Sequence, residues 1–422
     1  MRYLIFTFLT LFSLLASAQF SSFFENKTLR LDYYHSGDKD NEFYSVDQLI
    51  EEPYWGGSQV NLIDQTGFGK YRFDVVDLVY DSVIYSRGYC TLFSEWQTTE
   101  EAMKTRRSFS ETVVFPYPKH SVRVDFYSRN KLGVMELKFQ YEINPRSIYI
   151  VKENRLQYPK FEVHKGGDPA HSVDVVILPE GYTKDEMAKF KKDCKKFTDY
   201  LFACKPYDKN KARFNVWGVE APSAESGTDY PGTSTWKKTV LNSSFYTLGT
   251  ERYLMSTDNK SIRDLAANAP YDQIYIIVNT DHYGGGAIFN HYAVCISDNM
   301  HGAYVFTHEF GHSFAGLGDE YYDSETSYID FYPLNQEPWE PNLTTMVNFD
   351  SKWKDMLDPA TPVPTPNKTE YRGKVGVFEG GGYVNKGVYR PAYDCTMKSI
   401  SEDNFCPVCV RSIQRMIDFY TK

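Results

Sequence analysis

The stretch AYVFTHEFGHSFAGLGDE, residues 303–320, decides how this chain reads. His308 and His312 stand four residues apart with Glu309 between them. On a helix, both imidazoles project from one face toward one cation, and Glu309 lies within reach of the proton of a water activated there. Ala303 to Thr307 is apolar and free of Gly and Pro, as a helix buried beneath a cleft requires. Ser313-Phe314-Ala315 continues the helix, and Gly316 can adopt positive φ and end it. Asp319-Glu320-Tyr321 then offers a carboxylate as third ligand just beyond the turn. The plainer alternative is a buried helix with two satisfied histidines and an incidental glutamate. The flanks favour a site for zinc-dependent hydrolysis.

Further along, Cys395-Thr396-Met397-Lys398-Ser399 adds a Met-containing turn. A helix with this His-Glu-x-x-His pattern, then Gly, an acidic ligand and a later Met turn, resembles the metzincin zinc peptidases. Within that group, HEFGHSFAGLGDEY, FEGGGY and YRPAYDCTMKS before FCPVC resemble the secreted IgA peptidase family of bacterial metallopeptidases, over roughly residues 170 to 422. The resemblance implies an α+β chain whose metzincin-like α/β zinc-peptidase domain carries a Met-turn and a C-terminal helix. It implies one Zn²⁺ per chain on His308, His312 and a carboxylate, with Glu309 accepting a proton from water and passing it to the leaving amine. Met397 would lie under the metal as an apolar floor.

The spacing departs from the usual metzincin pattern, which places Gly three and the third ligand six residues after the second His. Here Gly316 is four and Asp319 seven residues after His312. The step from Gly to ligand is preserved, which favours Asp319, with Glu320 as its competitor. Many metzincins place a tyrosine just after the Met to stabilise the oxyanion, but Lys398-Ser399-Ile400 supplies none. Tyr321, Tyr322, Tyr393 or Arg390 could serve instead. In metzincins an edge strand before the helix pairs with extended substrate, and the resemblance assigns Asp281 to Phe289 to that rim. Gly284, Gly285 and Gly286 would there let a substrate backbone approach.

Arg2, the uncharged run from Tyr3 to Leu15 and Ala16-Ser17-Ala18 read as an export signal over residues 1–18, with the mature chain expected to begin near Gln19. Gln rather than Cys after the site gives no sign of a lipoprotein anchor. No second apolar run of spanning length follows, so no transmembrane anchor is expected after cleavage and the destination is periplasmic or extracellular. A net charge of −9 argues against nucleic acid or an anionic membrane as partner. Seven cysteines in an exported chain permit disulfides but leave an odd thiol if all partners are internal. Cys406 and Cys409 could suggest a second zinc site, but only Cys395 is near in sequence as a third thiol and no histidine follows. A structural role, free or bridged, is favoured.

Residues 19–162 read as a β-sandwich accessory domain, with strands at Leu29 to Tyr34, Tyr71 to Tyr80, Glu111 to Phe115, Ser121 to Tyr127 and Val134 to Tyr141. Its role is either substrate docking or spacing. From residue 163 to 422 the texture becomes that of the catalytic domain. Val173 to Leu178 is a buried strand, Thr183 to Cys204 a helix with Thr183 as N-cap and Glu186 three residues on, and Ile274 to Val278 another buried strand. Ser324 to Arg390, rich in Pro, Gly and aromatics, is expected to form the lower cleft wall, and Val408 to Tyr420 a closing helix. The expected function is secreted endopeptidase action on a protein or glycoprotein, with immunoglobulin A a candidate substrate. The alternative is a surface glycan- or protein-binding protein with a vestigial zinc site, against which an intact Glu309 weighs.

Overall fold

Alternating apolar and polar segments dominate up to residue 152. The computed structural model, which describes residues 19–152, 156–322, 331–402 and 404–422, assembles them into two four-stranded sheets. The strands are β1 (Phe24–Gly37), β2 (Glu42–Glu52), β3 (Tyr71–Asp77), β4 (Ser82–Tyr89), β5 (Arg107–Pro118), β6 (Val122–Arg129), β7 (Met135–Ile143) and β8 (Ile150–Val151). One sheet runs β5-β1-β2-β8 and the other β4-β3-β6-β7. Period two puts Leu29, Leu31 and Tyr33 of β1 and Val122, Val124 and Phe126 of β6 into one apolar layer between the sheets. Tyr33 meets Phe126 with ring centroids 5.0 Å apart, and Phe73 meets Phe115 at 6.2 Å. The five strands expected from sequence fall on β1, β3, β5, β6 and β7; β2, β4 and β8 complete the sheets.

A six-stranded sheet organises the rest, in the order β15-β16-β14-β10-β11-β9. It comprises β9 (Lys160–Lys165), β10 (Val173–Glu180), β11 (Phe214–Val219), β14 (Gln273–Val278), β15 (Gly285–Ile288) and β16 (Tyr292–Ile296), while β12 (Ser243–Ser244) and β13 (Met255–Ser256) form a small ladder beside it. The inner pairings are parallel and the edge strands β9 and β15 antiparallel. Every residue of β10 and β14 is buried, as in strands covered on both faces. The helices used below are α1 (Leu92–Trp96), α2 (Met187–Leu201), α3 (Tyr207–Asn210), α4 (Asn259–Ala266), α5 (Gly302–Ala315) and α6 (Pro407–Thr421). Glu186 Oε2 accepts from both the backbone N–H and the hydroxyl of Thr183 at 2.8 Å, so the expected cap opens a short 3₁₀ turn ahead of α2. The α-helix itself ends at Leu201, short of Cys204. A hairpin of β17 (Phe378–Gly381) and β18 (Val384–Arg390) lies in the segment read as the lower wall.

The apolar core does not stop where the texture of the sequence changes. Phe68, Phe93, Trp96 and Phe109 belong to the same buried cluster as Val176, Ile277 and Phe306. Polar ties reinforce the junction: buried Arg30 grips Asp32 with two bonds of 2.8 Å and reaches Asp264 of α4 at 2.6 Å. Tyr271 donates to Glu52 Oε2 at 2.9 Å. The proposed export signal, residues 1–18, lies outside the described residues. Among the described residues no helix is long and apolar enough to cross a membrane. All seven cysteines lie among the described residues, and no disulfide joins any of them.

Candidate active site

Helix α5 is built with two unlike faces. Phe306, Phe310 and Phe314 recur at helical spacing and point into the core. Phe306 stacks on Tyr275 of β14 at 4.0 Å, Phe310 lies 5.7 Å from Tyr207 of α3, and Phe314 lies 6.0 Å from Tyr420 of α6. His308 and His312 occupy the face turned to the cleft. Gly316 ends the helix at φ +63°, its N–H donating to His312 O at 3.0 Å while Leu317 N–H reaches Gly311 O at 3.2 Å. The chain thereby turns back over the two histidines.

Three ligand atoms converge beyond that turn. His308 Nε2 and His312 Nε2 are 3.1 Å apart, and Asp319 Oδ1 lies 3.1 Å from the first and 3.2 Å from the second. Tetrahedral zinc, with bonds of about 2.0–2.1 Å to nitrogen and oxygen, sets ligand-to-ligand edges of about 3.3 Å. The Nδ1–H of His308 faces Thr396 O at 3.0 Å, and that of His312 faces Leu317 O. Each ring therefore has its proton on the outer nitrogen and offers Nε2 as a lone pair. Three acceptors thus meet with no proton assigned between them, which is an arrangement that calls for a cation. Burial works against a charged His312, but the Asp319 carboxylate outweighs it and pushes the ring up to about 9. Asp319 is itself held well below the ordinary carboxylate range by the two histidines, despite its burial.

The loop that delivers Asp319 is clamped. Asn342 accepts from Gly318 N–H at 2.7 Å and donates to Gly318 O at 2.8 Å; Gly382 N–H donates to Asp319 O at 2.8 Å; Glu320 N–H donates to Met397 O at 2.8 Å. Tyr383, from the FEGGGY stretch, donates its hydroxyl to Asp319 Oδ2. Successive side chains leave this loop in opposite directions. Asp319 faces the histidines, whereas Glu320 is buried on the far side, 3.0 Å from Asn342 Nδ2 and 3.2 Å from Cys409 Sγ. Met397 is buried, with its Sδ 3.0 Å from where a Cβ on Gly311 would stand, so the Met segment packs against the backbone of α5. A carboxylate oxygen of Glu309 lies within 4.8 Å of ligand nitrogens of both histidines. Burial raises its pKa above the ordinary value, against the pull of His308 and His312.

The profile of the family described as IgA peptidase M64 matches residues 161–372 and 367–417, and that of the peptidase M64 N-terminus matches residues 19–140. The chain belongs to the IgA peptidase M64 family. Membership brings peptidase chemistry of the metallopeptidase class. No curated protein matches the chain.

In this M64 peptidase the histidines open into a cleft of about 1350 Å³. Its walls come from both parts of the chain, including Glu95 and Arg129 from the first and Gly286, Trp339 and Glu340 from the second. Strand β15 is the sheet edge beside the helix, and Gly284, Gly285 and Gly286 line the cleft. At Gly285 the outward backbone groups are already paired, the N–H with Arg252 O at 3.1 Å and the carbonyl with Leu254 N at 3.2 Å. A Cβ at Gly285 would stand 2.7 Å from Val305 Cγ1 and 3.3 Å from Glu309 Oε1, so glycine there keeps space beside the glutamate. Of the four residues considered for oxyanion stabilisation, Tyr321 lines the cleft, its ring 6.5 Å from that of His308. Tyr322 packs its ring over Gly380, and Tyr393 meets Phe378 at 6.3 Å. Arg390 is buried, with Nη1 on Glu379 O at 2.9 Å and Gly380 O at 2.6 Å. The geometry sets these three away from the cleft. It adds Tyr383 and Arg252, which sequence reasoning passed over, with the Arg252 guanidinium 5.9 Å over the Tyr321 ring.

Proposed function

We propose that this M64 peptidase is a secreted, zinc-dependent endopeptidase of metzincin-like design that cuts peptide bonds of extracellular proteins, with immunoglobulin A and other host glycoproteins as candidate substrates. The convergence of His308 Nε2, His312 Nε2 and Asp319 Oδ1 at 3.1–3.2 Å, facing a large cleft with Glu309 alongside, carries this reading. Bound by those three atoms, zinc would supply Lewis acidity, polarising the scissile carbonyl and acidifying water. The chain's own residues do the rest. Glu309, raised in pKa by burial, takes the proton from the attacking water and gives it to the leaving amine. Tyr321, which lines the cleft, would donate to the oxyanion. Tyr383 and the carbonyls of Thr396 and Leu317 hold the three ligands in orientation. Lys70, Glu95 and Arg129, from the part before residue 162, line the same cleft and would face one side of a bound substrate, which supports a docking role for that part.

A peptide-library screen of the purified protein tests this. Cleavage that is lost with a chelator and restored by zinc is expected, and an inert protein with full zinc would overturn the reading. Export is tested separately by N-terminal sequencing of protein recovered outside the cytoplasm, which should begin at Gln19.

A further inference from the structure

A second group of ligand-type side chains lies behind the loop that carries Asp319. Cys395, Cys406, Cys409 and Glu320 are all buried, and their Sγ and carboxylate oxygen atoms lie within 4.8 Å of one another. Cys395 Sγ is 3.9 Å from Cys409 Sγ, and Cys409 Sγ is 3.2 Å from Glu320 Oε1. Zinc bonds of about 2.3 Å to sulfur and 2.0–2.2 Å to oxygen set tetrahedral edges of about 3.8 Å between sulfurs and about 3.5 Å between sulfur and oxygen. The observed spacings straddle these values. Glu320 Oε2 is buried with no hydrogen-bond partner among the described residues. A carboxylate buried in that state is expensive unless a cation accompanies it.

We propose that Cys395, Cys406, Cys409 and Glu320 form a second, closed metal site that takes zinc as a structural ion. Three thiolates and a carboxylate fill a tetrahedral shell, with no position open for substrate. Cys406 occupies the N-cap position of the 15-residue helix α6 and Cys409 sits in its first turn, where the positive end of the helix dipole favours thiolate. A disulfide between any two of the cysteines would leave the third thiol and the Glu320 carboxylate uncompensated, whereas one ion serves all four. The site also has a task. Cys395 is followed by Thr396, whose carbonyl orients His308, and by Met397, whose carbonyl holds Glu320 N–H. An ion here would pin the floor of the cleft to the start of α6.

The decisive measurement is on the full chain carrying His308→Ala and His312→Ala together, which dismantles the cleft site and leaves the thiol cluster intact. Elemental analysis should find about one zinc in this variant and about two in the wild type. X-ray absorption at the zinc edge should show a sulfur-dominated shell in the variant, and cobalt substitution a thiolate charge-transfer band. A variant with no zinc, zinc without sulfur neighbours, or a disulfide among Cys395, Cys406 and Cys409 in non-reducing peptide mapping would overturn the proposal. A single sulfur-bound zinc in the wild type, kept by the double variant, would instead remove the cleft metal and leave this site standing. Cys409→Ser is a second probe: it should lose the sulfur-rich ion while keeping the one at the cleft. Should it fail to fold, the histidine variant still decides.

Discussion

Asp319 and Glu320 are neighbours in sequence and occupy opposite chemical worlds. On the cleft side, two imidazoles and the short Asp319 carboxylate leave one direction open toward solvent and substrate. On the core side, three thiols and the longer Glu320 carboxylate are enclosed by Asn342, the Met segment and α6. An extended backbone sends consecutive side chains to opposite faces, so one tightly clamped loop can serve both groups. Ligand identity and openness then separate the roles: nitrogen and oxygen with a vacancy suit chemistry, and sulfur-rich closure suits stability.

The sharpest way to break this contrast is at Glu309. Glu309→Ala should lower peptide cleavage by about 100- to 10,000-fold, the span typical of lost acid–base catalysis, with zinc content and circular dichroism unchanged. Full cleavage by the variant would end the assignment. The paired carboxylates come next. Asp319→Ala should cost the cleft site more zinc affinity than the roughly 100-fold ceiling expected when only a ligand's supporting partner is lost. Glu320→Ala should leave that affinity far closer to wild type and lower the melting temperature instead. Competition titrations in which the two variants exchange behaviour would reverse the assignment of the faces. Tyr383→Phe probes the support of Asp319 Oδ2 and should weaken zinc binding or activity by roughly 10- to 100-fold.

The smallest expected effect concerns pH, which must be known before metal contents at different pH values are compared. His291 is buried, with Nε2 2.8 Å from Asn259 Oδ1, while the Arg263 guanidinium donates to its Nδ1 at 3.2 Å. Burial, and then the Arg263 charge, hold its pKa well below 6.5. The unfolded chain takes up a proton below about 6.5 that the folded chain refuses. Stability from this group is therefore intact above that pH and falls by up to about 1.4 kcal/mol for each unit below it. His35 has the opposite sign. Although burial opposes its charge, Glu111 and Glu42 raise its pKa, so its contribution is complete below 6.5 and fades as pH rises through the folded value. His291→Gln should flatten the loss of urea stability between pH 6.5 and 5.5; an unchanged slope would place the acid sensitivity elsewhere.

What was legible in the sequence follows from the range of the interactions. The helix α5, its stop at Gly316 and the arrival of Asp319 rest on neighbours within one turn, and each could be read from spacing. The strands β1, β3, β5, β6 and β7 announced themselves by alternation. Strand β2 begins and ends in glutamates and keeps much of its length only partly buried, and β4 follows a short turn that reads as part of β3, so neither stood out. Tyr383 reaches Asp319 from the turn of the β17–β18 hairpin, a contact no local pattern encodes. Cys395 is the one further thiol near Cys406 and Cys409 in sequence, and no histidine follows them. The fourth side chain in space is Glu320, from the other side of the proline-rich segment. The leftover carboxylate in the contest for the cleft was the hint. A division near residue 162 is legible as a change of texture, while the packing of Phe93, Trp96 and Phe109 across it is a long-range property of the core.

That continuity of core bears on how the molecule comes apart. A boundary crossed by aromatic packing, by Arg30 on Asp264 and by Tyr271 on Glu52 gives neither side a finished surface of its own. Calorimetry should therefore trace one cooperative transition, not two. A recombinant fragment beginning near residue 163 would present to solvent the apolar wall that Phe68, Phe93 and Trp96 now cover, and its fate at working concentrations would be aggregation.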